Sequence, residues 1–247
     1  MENSNDAQIV LVMNTIDAIN LRKERSIPAD CEIIECDSEF LDFTNPLVVQ
    51  LKKDDLLHDK NVLIKSPYSS AYYCYEEASE KIHSDYFRQF CTILGALGAT
   101  EVSVSECSTE DSSSLLKASI KFFANVFKGN ISGEKKVSKH QEALLSLKRT
   151  FDPYLNLEKA KELMSDFSLQ NDEQLQELIK ALEGGLKETS REFNLTLSKK
   201  LKSTFAAAAK ITPYTGINFD VNMHNEKETF ETYSLHIKVK FDSSLMG

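Results

Sequence analysis

Glycine is scarce in this chain: eight residues among 247. None falls into a G-x-G-x-x-G or G-x-x-x-x-G-K-[ST] pattern. The first strand-like run passes into Asn14-Thr15-Ile16, where a phosphate-cradling turn needs glycine, which argues strongly against a classical nucleotide or dinucleotide site. The G-x-S-x-G elbow and the H-E-x-x-H zinc motif are missing as well. Five cysteines (Cys31, Cys36, Cys74, Cys91, Cys107) include no C-x-x-C pair, which argues against a zinc site. Cys31 and Cys36 are five apart and would face opposite sides of a strand, so we expect reduced, mostly buried thiols. No apolar run approaches the ~20 residues of a membrane-spanning helix. No such run exceeds five residues, and Ile9 to Met13 is strand-sized. The polar, acidic start (Met1 to Asp6) lacks the basic and apolar regions of a secretion signal, which leads us to expect the cytoplasm. Positive charge is also short: the net charge of −9 argues against nucleic acid as main partner, since phosphate binding needs a cationic footprint.

What is present is an ordinary globular composition, 41% hydrophobic and 27% charged, which excludes wholesale disorder. Charge is unevenly spread. Residues 1–110 carry 20 acidic and 9 basic side chains, and residues 111–247 carry 18 acidic and 20 basic. The shift suggests an acidic mixed α/β region over 1–110 and an antiparallel sheet with an inserted helical hairpin over 111–247, as two parts or one compact domain. In the second part Tyr233, Leu235, Ile237, Val239 and Phe241 alternate with polar residues, as do Ile217, Phe219, Val221 and Met223. A period of two describes strands with one dry and one wet face, the pattern of an antiparallel sheet covered on one side. The expected class is therefore α+β, with helices on one face of that sheet.

Along the first part, strands are expected at Gln8–Met13, Cys31–Cys36 and Asn61–Lys65, with a helix at Thr15–Arg25 and another starting at Asn45-Pro46. Ile82, Tyr86, Phe87, Phe90, Ile93, Leu94 and Leu97 form one stripe of a long helix over Tyr75–Leu97, closed by Gly98. Glu101–Ser105 reads as a strand and Glu106–Ser114 as a polar loop at the boundary. Residues 116–151 suggest a long hairpin with a basic tip. Two helices follow, one begun by Asp152-Pro153 or Asn156, the other by Asn171 and ending at Gly184-Gly185. Then come a strand through Phe193, Leu195 and Leu197, a short helix after Ser198, and a final hairpin turning near Asn225–Lys227.

Chemistry is thinly signalled. Cys91 lies two helical turns from His83 and among Phe87, Phe90 and Leu94, so it reads as a reactive thiol or, more simply, a core one. Asp30, Glu32, Glu35, Asp37, Glu39 and Asp42 could hold a hard cation or form a solvated edge. His224 and His236 sit on the polar face of the final hairpin without further ligands. The basic stretch from Lys117 to Lys139 offers Lys121, Lys128, Lys135, Lys136 and Lys139 as a candidate recognition surface. No metal or cofactor is expected. The leading functional expectation is a non-enzymatic protein–protein interaction module that binds a partner or itself. The alternatives are a membrane-active protein inserting hairpin 116–151, and a hydrolase or transferase without a recognisable motif.

Overall fold

A computed structural model of the chain describes residues 7–24, 27–37, 39, 41–108, 148–152, 154–195, 199–211, 234–242 and 244. Its elements are β1 (Ile9–Met13), α1 (Thr15–Glu24), β2 (Cys31–Glu35), α2 (Pro46–Lys53), β3 (Asn61–Lys65), β4 (Tyr72–Cys74), α3 (Tyr75–Ala96) and β5 (Ala99–Ser108). They continue with β6 (Lys148–Thr150), α4 (Leu157–Asp166), α5 (Glu173–Glu183), β7 (Ser190–Leu195), α6 (Lys199–Ile211) and β8 (Ser234–Phe241). The class is α+β, and the described strands form one mixed and one antiparallel sheet. The chain divides into two compact units. The first draws on Met1–Lys81 and Ser198–Lys227, the second on Ile82–Leu197 and Glu228–Gly247. Among the described residues no helix is long and apolar enough to cross a membrane.

The first unit is built on the sheet β2-β1-β3-β4, in which β1 runs parallel to β2 and antiparallel to β3. Every residue of β1 is buried, as an unbroken Ile-Val-Leu-Val-Met run demands of a strand covered on both faces. Val10, Val12, Ile34, Leu63 and Tyr72 pack with Val48 and Leu51 of α2. Helix α1, with Ala18 and Leu21 buried, packs on β2, and α6 packs on β3. Asn45 caps α2 as expected, its side chain accepting the Leu47 N–H at 2.9 Å, with Pro46 in the first turn. Strand β4 was not anticipated: three residues are too few to display a period.

The second unit carries the antiparallel sheet β6-β5-β8-β7. All seven stripe residues of the long helix are buried, and Gly98 ends it at φ +86°. Phe90 of α3 meets Phe193 of β7 edge to face, centroids 5.4 Å apart. Leu175, Leu178, Ile179 and Leu182 of α5 are all buried, as their spacing implies. Asn156 caps α4, as one of the two expected starts.

Four expectations are corrected. The N-cap of α5 is Asp172 rather than Asn171, accepting the Leu175 N–H at 3.1 Å. The polar segment Glu106–Ser108 extends β5 instead of opening a loop, because β8 supplies it with partners beyond a register shift at Val104/Glu106. From Leu235 to Lys240, β8 has a strand on each side, β5 and β7, so both its hydrogen-bonding edges are used and it is no leg of a two-stranded hairpin. Cys31, Cys36 and Cys74 are half-buried, whereas Cys91 is fully enclosed. The strand expected before Phe151 is Lys148–Thr150, paired antiparallel with Glu101–Ser103. The rest of segment 116–151 and residues 217–223 lie outside the described residues.

Candidate interaction surface

The alternation in β8 sorts its side chains. Ile237, Val239 and Phe241 are buried, whereas Lys238 and Lys240 stand exposed on the opposite face. Antiparallel register then lines up cross-strand neighbours: Glu101, Lys240 and Ser190 in one row, and Ser103, Lys238 and Glu192 in the next. Asn194 and His236 begin a third. The register shift between Ala99 and Glu101 is what brings the Glu101 carboxylate opposite Lys240, with Nζ and Oε1 2.9 Å apart. Lys238 reaches Glu192 at 4.0 Å. Thr100 and Ser103 hydroxyls donate to the carbonyls of Lys240 and Lys238 at 3.1 and 3.3 Å. The result is a cationic ridge on β8 with a carboxylate on each flank, close to charge balance. Exposed pairs of this kind contribute ~0–1 kcal/mol each, so they shape a surface more than they hold the fold.

A second polar cluster lies at the carboxyl end of β1, where open α/β sheets place ligands. Asn14 caps α1, its Oδ1 accepting the Asp17 N–H at 2.9 Å. The Asp59 carboxylate accepts the Asn14 N–H at 2.8 Å, and Asp37 accepts the Thr15 N–H and hydroxyl at 2.7 and 2.9 Å. These Thr15 bonds hold the Asp37 carboxyl below its ordinary range. The start of α1 thus has carboxylates of its own where a phosphate would otherwise sit.

Several members of the expected acidic run carry structural tasks. The Asp30 carbonyl accepts the Gln8 and Ile9 N–H groups, Glu35 pairs with Arg22, and Asp42 holds a turn through Thr44. Among the described residues no three His, Cys, Asp or Glu side chains group to hold a metal ion. Cys91 belongs to the second unit and the acidic run to the first. Burial pushes the Cys91 thiol up to about 12, which removes the thiolate that nucleophilic chemistry requires. Lys121, Lys128, Lys135, Lys136, Lys139 and His224 lie outside the described residues. Missing from the sequence reading were the flanking roles of Glu101 and Glu192. Their alternation with apolar neighbours was visible, but their alignment with lysines depends on register. No protein-family model, curated protein or solved structure matches the chain.

Proposed function

We propose that this chain is a non-enzymatic protein-binding module of the cytoplasm, docking a partner protein on the open face of its antiparallel sheet. The supporting observation is the exposed β8 ridge, Lys238 and Lys240, backed by the buried Ile237, Val239 and Phe241. Such a face is rigid, because its strand is central in the sheet and hydrogen-bonded on both sides. Mixed charge in fixed positions favours discrimination between partners over raw affinity. A net charge of −9 speaks for a protein partner over nucleic acid. The free thiols Cys31, Cys36, Cys74 and Cys91 suit a reducing compartment.

Amine-directed cross-linking in cells, followed by mass spectrometry, tests the reading. Adducts to one partner protein, anchored at lysines of the chain other than Lys180, Lys238 and Lys240, that vanish in a Lys238→Glu/Lys240→Glu variant and persist in a Lys180→Glu control support it. A double variant that retains those same adducts removes it.

A further inference from the structure

Among the described residues strand β7 is an outer strand of its sheet, and an edge strand exposes peptide groups to any incoming chain. The Phe241 N–H donates to the Thr189 carbonyl, which sets the alternation: peptide groups of odd-numbered residues from 189 face β8, and those of Ser190, Glu192 and Asn194 face outward. One of these outward groups is taken. The Gln174 side-chain amide donates to the Asn194 carbonyl at 2.8 Å and its Oε1 accepts the Asn194 N–H at 2.8 Å. That reciprocal pair reproduces what a neighbouring strand offers at a narrow antiparallel position. Gln174 is held in place by its helix: Asp172 caps α5, Leu175 and Leu178 are buried, and Glu177, one turn on, binds the Arg191 guanidinium at 2.9 Å. Helix α5 therefore meets β7 at two points.

We propose that Gln174 is a plug on β7 that holds this edge closed to strand addition by a second copy of the same chain. Two central registers for self-pairing of β7 differ in charge. With Glu192 on the two-fold axis, two carboxylates face each other, which is unfavourable. With Phe193 on the axis, Glu192 lies opposite Asn194 of the second copy, and no like charges meet. That register needs the outward peptide group of Asn194, the one Gln174 occupies. The glutamine thus blocks the single pairing that charge leaves open among these two.

Gln174→Met removes the amide while keeping side-chain length and helix propensity. At dilutions where the chain is monomeric, hydrogen exchange should then speed up at the Asn194 amide by roughly fivefold to tenfold, the factor one net hydrogen bond supplies, with Phe193 and Leu195 unchanged. Sedimentation should show stronger self-association than the parent chain at equal concentration. Adding Asn194→Pro, which removes an outward donor at an edge position that tolerates proline, should cancel that gain. Gln174→Ala provides an independent check should the methionine repack. Unaltered exchange at Asn194, unaltered self-association, or association that survives Asn194→Pro would each overturn the proposal.

Discussion

The contact between Phe90 and Phe193 ties α3 to β7, and replacing either ring gives a direct measure of how the second unit is held together. Phe90 is completely buried and touches two rings, Tyr86 at 5.8 Å and 66° and Phe193 at 5.4 Å and 79°. Truncation to alanine removes the transfer free energy of the ring and leaves a cavity, together costing about 3–5 kcal/mol. Phe90→Leu keeps most of the apolar area but loses both edge-to-face contacts, each worth ~0.5–1.5 kcal/mol beyond area, so we expect a loss of about 1–3 kcal/mol. A double-mutant cycle with Phe193→Leu isolates the shared pair, with an expected coupling of ~1 kcal/mol. Urea titration by circular dichroism supplies the energies. Hydrogen exchange at Ile237 and Val239 reads the second unit by itself, which matters where two units need not unfold together. Strict additivity of the two leucine variants, or a Phe90→Ala cost under ~1 kcal/mol, would refute the reasoning.

Further outcomes are expected at three positions. Gly98→Ala places a Cβ at φ +86°, a conformation that costs L-residues ~1–2 kcal/mol, and the urea midpoint should fall accordingly. Cys91 should resist a maleimide at pH 8 in the native chain, where the half-buried Cys36 and Cys74 react slowly; rapid labelling at Cys91 contradicts its burial. Because its folded pKa stands above the ordinary thiol value of 9.0, Cys91 stabilises fully below pH 9 and loses that contribution as pH rises toward about 12. Asp37 behaves in the opposite sense. Its carboxyl is held below the ordinary 3.8, so its contribution is present above that pH and fades under acid. Asp37→Asn should flatten the acid limb of the stability curve, and an unchanged limb would count against the Thr15 contacts.

Much of the molecule was legible locally. Unbroken apolar character marked β1, a three-to-four spacing marked the buried stripe of α3, and period-two alternation sorted the two faces of β8. Capping chemistry placed Asn45 at the start of α2 and Gly98 after α3, because those positions demand specific side-chain donors, acceptors or backbone angles. These signals arise within one or two turns of chain, so they survive without knowledge of the fold. The N-cap of α5 missed by one residue, since Asn171 and Asp172 carry equivalent oxygens.

Partnership was another matter. Tertiary structure alone decided that β8 lies between β5 and β7, that Glu106–Ser108 prolongs β5, that Glu101 faces Lys240, and that Gln174 occupies the Asn194 peptide. It also decided that each compact unit gathers two separated stretches of chain. The physical reason is that a strand pairs through peptide groups common to every residue. Side-chain periodicity states which face is dry, while register and neighbour are set by distant chain arriving at the edge.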